Sequence, residues 1–151
     1  MFAGAAMFSI LSSRLLPALQ LTRMALVFTA ISNAQATYLL LCARRAHSAG
    51  AVPLEMVSLR EMSAIAVVSI GLYGFGMALN DIMDRRRDQQ LAGHRPLPSG
   101  RIDLASAHAI CGSMGLAAVL AAAFYARTSP DAGCLSVALV LWTALLILFY
   151  D

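Results

Sequence analysis

The sequence predicts an all-α fold, a polytopic bundle of transmembrane helices with about four spans. Three observations predict it. Of 151 residues, 60% are hydrophobic and only 13% are charged, whereas an ordinary soluble domain carries about a quarter charged residues. Mean hydropathy is +0.73. The apolar residues gather into four runs close to the roughly 20 residues that cross a bilayer. None of these runs shows the alternation of a β-barrel strand, so helices remain as the way to satisfy the backbone in lipid.

Taken in order, the chain opens with an apolar stretch, Met1 to Leu11, that lacks a positive cluster ahead of it. This favours a segment lying on the membrane over a cleaved signal peptide. The first span is expected from about Met24 to Cys42 and the second from about Met62 to Leu79. The third covers about Leu104 to Ala126, where His108 is the only ionisable group apart from Cys and Tyr. The fourth runs from about Ala132 to Tyr150. Between them lie Ala43 to Glu61, with Arg44, Arg45, His47 and Arg60, and the polar centre, Asp81 to Asp103. Arg127 to Asp131, with Pro130, forms a short turn.

Net charge is +3, and every basic residue is arginine. A basic excess in so apolar a chain reads as topological charge in loops, not as a nucleic-acid surface. Alternating spans put Arg14, Arg23, Arg85, Arg86, Arg87, Arg95 and Arg101 on one side and Arg44, Arg45, Arg60 and Arg127 on the other. That bias predicts a cytoplasmic position for the polar centre. Cys42, Cys111 and Cys134 are far apart, without metal-binding spacing. Gly71, Gly74 and Gly76 lie inside an apolar span, where small residues serve close helix packing. A structural hydrogen bond near the interface is the expected role of His108, and Trp142 is expected to pack or to face lipid.

The chemistry concentrates in Asn80-Asp81-Ile82-Met83-Asp84-Arg85-Arg86-Arg87-Asp88. On a helix, residues four apart drift by only about 40°, so Asn80, Asp84 and Asp88 fall on one face over about two turns. Asp81 lies roughly 100° from Asn80. Oxygen ligands at the membrane edge suit Mg²⁺, which keeps water and substrate phosphate in its shell. The competing reading is a solvated helix end in which Asp84 pairs with Arg87, or Arg85 with Asp88. Downstream, Arg95-Pro96-Leu97-Pro98-Ser99-Gly100 predicts a rigid turn. There Arg95 offers a fork of donors to phosphate oxygen. An ordinary interhelical loop is the alternative for that stretch.

Together the two motifs resemble the first aspartate-rich motif and the Arg-Pro loop of the UbiA superfamily of membrane prenyltransferases. Leu19 to Arg23 also resembles the start of that family, and the likeness runs from about Leu16 onward. The resemblance implies that residues 1–151 are the N-terminal part of one larger UbiA-type bundle of about nine spans around a cavity open to lipid. It implies Mg²⁺ as cofactor and an isoprenyl diphosphate as donor. The acceptor would be an apolar or aromatic molecule of a lipid pathway, and the setting a lipid bilayer, with no nucleic acid. By position, Asn80, Asp84 and Asp88 match the metal–diphosphate residues, with Asp84 and Asp88 as the catalytic pair. Asn80, Arg95 and Arg23 would contact substrate, and Asp81 would support. The expected setting is a bacterial plasma membrane.

The family's second aspartate-rich motif has no match here: beyond Asp103 the only acids are Asp131 and Asp151. A chain cut short is one expectation from this. A non-catalytic relative serving lipid binding, export or assembly is the alternative, and an unrelated four-span protein is a third.

Overall fold

The computed structural model describes Leu19, residues 24–129 and residues 133–150. Among the described residues the regular elements are all helical, without strands. Helix α1 is Met24–Ala49, α2 is Leu59–Met83, α3 is Arg85–Leu91, α4 is Leu104–Thr128 and α5 is Leu135–Tyr150, with a 3₁₀ turn at Pro53–Met56. Three of them, α1, α2 and α4, are long and apolar enough to cross a membrane. The fourth expected span appears as α5, an apolar helix of 16 residues. At about 1.5 Å per residue, its described part reaches roughly 24 Å, short of a 30 Å hydrocarbon layer.

The helices outrun the apolar segments. α1 continues through Arg44, Arg45 and His47, and α2 begins at Leu59 and ends at Met83. Charged heads at a span's end reach water while the helix goes on; accordingly Arg44, Arg45 and His47 are exposed. Met1 to Leu11, Pro130 and Asp131 lie outside the described residues.

α1 and α2 pack antiparallel, and the join is polar. The Tyr38 hydroxyl donates to Glu61 Oε2 at 2.9 Å and accepts from the Ser58 amide at 2.9 Å. The Ser129 hydroxyl donates to Glu61 Oε1 at 2.5 Å. Ser58 caps α2, its hydroxyl accepting from the Glu61 amide at 3.4 Å. In a capping box the acid three residues on would reach back to the cap. Here it is spent instead on Tyr38 and Ser129, tying α1, α2 and the end of α4 together.

α2 and α4 form the most intimate pair. A Cβ on Gly71 would stand 2.7 Å from the Met114 carbonyl oxygen and 2.9 Å from Ala118 Cβ. On Gly74 it would stand 3.1 Å from Met114 Sδ. Small residues thus let the two backbones approach, as expected for glycines in a span. Ala118, Ala122 and Val140 cluster with Val68 and Leu72 and so bring α5 against both α4 and α2. His108 makes the expected local contact, Nδ1 lying 2.8 Å from the Leu104 carbonyl oxygen. Trp142 is exposed on α5.

Candidate functional site

The site lies where α2 leaves the apolar layer. Its helix does not run unbroken through the acidic segment. α2 closes at Met83, α3 opens at Arg85, and Asp84 joins them with φ −76° and ψ −2°. That ψ is about 40° from the helical value. The hydrogen-bond ladder still carries across: the Asp84 amide donates to the Asn80 carbonyl at 2.9 Å, and the Asp88 amide to the Asp84 carbonyl at 2.9 Å. The chain bends rather than stops.

The sequence-predicted residues divide into two groups. Asn80 and Asp84 stand together, with Asn80 Nδ2 3.3 Å from Asp84 Oδ2. Both are half-buried. Although Asp84 occupies the cap position of α3, its carboxylate makes no cap bond there and stays beside Asn80. Asp88 turns elsewhere. It is 6% exposed, and Asp88 Oδ2 accepts from Arg95 Nη1 at 2.5 Å. The same Arg95 nitrogen lies 3.7 Å from Asp81 Oδ1, and Asp81 is 4% exposed. Asp88 therefore pairs with Arg95 rather than with Arg85 in the next turn of its own helix.

Helical arithmetic explains the partition. Seven residues advance by about 700°, only about 20° short of two turns. The drift that separates Asp88 from Asn80 brings it into line with Asp81. Arg95 reads that second stripe, which the four-residue spacing does not reveal.

Arg95 is held by its loop. The Arg95 amide donates to the Ala92 carbonyl at 3.0 Å, the Ser99 amide to the Arg95 carbonyl at 3.0 Å, and the Ile102 amide to the Pro96 carbonyl at 3.2 Å. Gly100 takes φ +72°, a left-handed conformation that favours glycine. Leu97 and Ile102 are buried against Ala78, Ala107 and Cys111, so the turn is stapled to the α2–α4 core. The expected rigid turn is present, and apolar anchors hold it as much as its prolines do. Asp103 caps α4 by accepting from the Ser106 amide at 3.3 Å. Hydrogen bonds to Ser106 hold the Asp103 carboxyl below its ordinary value of 3.8.

Beside Asn80 an apolar groove of about 560 Å³ opens between α2 and α5. Leu72, Tyr73, Gly76 and Met77 line one wall, and Thr143, Leu146, Ile147 and Tyr150 the other. Asn80 is the lining residue nearest the α2 end, so the groove's polar end adjoins the Asn80–Asp84 pair. Sequence reasoning missed this groove: the residues of its two walls stand more than 60 positions apart in the chain.

As a donor set for a metal, Asn80 and Asp84 present two oxygen-bearing side chains, and Asp88 lies behind them under Arg95. Among the described residues no three of His, Cys, Asp and Glu converge to hold an ion. Two half-buried oxygen ligands fit a Mg²⁺ that keeps water and phosphate in its shell; they do not make an all-protein cage. Arg23 lies outside the described residues.

A model of the UbiA prenyltransferase family matches residues 46–151. That span holds all of α2 to α5 together with Asn80, Asp84, Asp88 and Arg95. No curated protein and no solved structure matches the chain.

Proposed function

The chain belongs to the UbiA prenyltransferase family, and on that premise we propose that it transfers a prenyl group from an isoprenyl diphosphate to an aromatic or other lipid-pathway acceptor in the membrane, with Mg²⁺ as cofactor. One observation carries this reading. A polar pair, Asn80 and Asp84, stands at the end of an apolar groove between two apolar helices. A donor with an anionic head and a hydrocarbon tail has that same division.

Asn80 and Asp84 would hold Mg²⁺ against the diphosphate, with Asp88 the further ligand named by the motif. When bound, the ion supplies positive charge to the oxygens of the departing diphosphate. Arg95 is one-third exposed, so part of its guanidinium stays available to phosphate oxygen while it holds Asp88. Arg23 is proposed as a further phosphate contact on the family likeness alone. The apolar walls offer the donor a hydrocarbon lining, and a site kept dry would protect a developing allylic cation from quenching. The excess of arginine on the side of Arg85, Arg86, Arg87, Arg95 and Arg101 supports a cytoplasmic position for this end.

The test is Mg²⁺-dependent transfer by the full-length protein in lipid nanodiscs, native against Asp84→Asn. Loss of an electrostatic contact at the reacting end is expected to lower turnover by about 100-fold or more, with membrane insertion retained. Native-like turnover by the variant would refute the assignment.

A further inference from the structure

We propose that the outer face of α1 is a self-association surface, on which two copies of this chain meet about a two-fold axis along the bilayer normal and pair their Asn33 side chains. Asn33 stands midway between Met24 and Cys42, at the centre of the first apolar run. It is exposed. Polar groups at that depth need partners, because lipid offers none. The neighbouring ones have them within the chain. The Ser32 hydroxyl donates to the Phe28 carbonyl at 2.7 Å, and the Thr37 hydroxyl to the backbone carbonyl of Asn33 at 2.9 Å. Gln35 Nε2 donates to the Met62 carbonyl of α2 at 2.7 Å. Asn33 is about 200° around the helix from Gln35, so it points away from α2. Among the described residues nothing donates to its side chain or accepts from it.

The residues around Asn33 form a seam. Leu26, Ala30, Asn33, Thr37 and Leu40 follow one another at four, three, four and three positions. That spacing keeps one stripe of a helix turned toward a partner helix, as in a coiled coil. Leu26 is 57% exposed and Leu40 71%, so the described chain leaves the seam uncovered. Ala30 and Thr37 are small enough to let two backbones approach. Two copies inserted with the same topology share their depths, so a two-fold along the normal sets Asn33 against Asn33. An amide carries donors and an acceptor, and the pair closes two hydrogen bonds without any other group. A single polar residue in such a seam also fixes register. Trp142, exposed on α5, is the rival surface, but an indole only donates and would leave the Asn33 NH₂ unmet. The same stripe of a second copy is therefore the occupant that the chemistry fits. Arg44, one turn past Leu40, is exposed at the span's end, where water solvates its charge.

The experiment measures self-association of the full chain in liposomes over a range of protein-to-lipid ratios, by energy transfer between donor-labelled and acceptor-labelled copies. The native protein should associate. Asn33→Leu should weaken association by about tenfold, and Asn33→Gln, which keeps the amide, should retain most of it. Leucine makes the span more apolar, so insertion is not at risk. Disulfide cross-linking identifies the face, in a Cys134→Ser background that removes the exposed native thiol. Leu40→Cys, on the seam, should cross-link two copies. Leu39→Cys, at a position 43% exposed but about 100° away on the helix, should not. A native chain that stays monomeric at every ratio overturns the inference and shows that the stripe is covered from within the same chain or left to lipid. Association that Asn33→Leu leaves unchanged overturns it as well, as does equal cross-linking at the two leucine positions. Prenyl transfer is tested separately from all of these outcomes, so the proposed function does not fall with them.

Discussion

Replacing Arg95 with alanine removes a cation that lies 2.5 Å from the buried Asp88 carboxylate and 3.7 Å from that of Asp81. Asp81 and Asp88 side chains are 5% and 9% exposed, and Arg95 is 33% exposed. Breaking a buried ion pair costs about 3–5 kcal/mol, because it strands an uncompensated charge. Water already reaches the guanidinium, and exposed pairs are worth much less. The lower end, about 3 kcal/mol, is therefore expected, roughly a hundredfold change in an equilibrium constant. The loss should be local. α3 has seven residues, far fewer than a helix needs to persist alone, so without the pair it should open with its loop. Amide hydrogen exchange in nanodiscs reads this directly. The Ala92 amide, which donates to the Asp88 carbonyl at 2.8 Å, and the Arg95 and Ser99 amides should exchange about a hundredfold faster. The α2–α4 core around Gly71 should be unaffected. Arg95→Ala/Asp88→Asn removes the stranded charge as well and should recover much of the protection. Native exchange rates in Arg95→Ala, or a double variant no better protected than the single, would show that the ion pair does not hold α3 in place.

Gly71→Ala should destabilise the bundle by about 1–3 kcal/mol, as overpacking does, since the new Cβ meets backbone 2.7 Å away. Gly112→Ala, with nothing within 4 Å of its Cβ, should instead gain about 0.5–1 kcal/mol. Unfolding in mixed micelles checks both, and equal effects at the two positions would contradict the packing. Asp103 gives a pH dependence. Its carboxyl is held below its ordinary value of 3.8 by Ser106, so the unfolded chain binds that proton more readily than the folded one. The stabilisation is present above 3.8 and fades as pH falls below that value. The difference in stability between native protein and Asp103→Ala should therefore shrink on acidification below about pH 4. A difference that stays constant across that range would contradict the cap.

The spans were legible because hydropathy reports the solvent, and lipid leaves only helix for an apolar run of that length. Their ends were less so. Hydropathy falls at Arg44, yet α1 continues to Ala49, since an arginine at a span's edge can extend its charge to water without breaking the backbone ladder. The bend at Asp84 left no signal, because neither proline nor glycine marks it. Gly71 and Gly74 pack toward α4, while Gly76, in the same short stretch, meets Ile147 of α5 on the other side of the helix. Composition cannot make that distinction; it depends on which neighbour each face meets. The burial of Leu97 was hidden for the same reason, since a turn of Pro, Leu and Ser looks like surface until Ala107 and Cys111 are placed beneath it.

The division of the acidic segment has a consequence for reading such motifs. Two periodicities occupy the same nine residues. The four-residue one sets Asn80 beside Asp84 at the end of the groove. The seven-residue one sets Asp81 beside Asp88, where Arg95 draws the downstream loop onto the bundle. Asp84 lies at the bend between them, tied to Asn80 by its side chain and to Asp88 by its carbonyl. A change at Arg95 therefore acts on the Asn80–Asp84 pair indirectly, by freeing α3 and with it the bend at Asp84. A change at Asp84 acts on the groove's polar end without loosening the loop. Exchange protection of Ala92 and donor binding should accordingly fall together in the first case and separate in the second, which assigns the two stripes their different work.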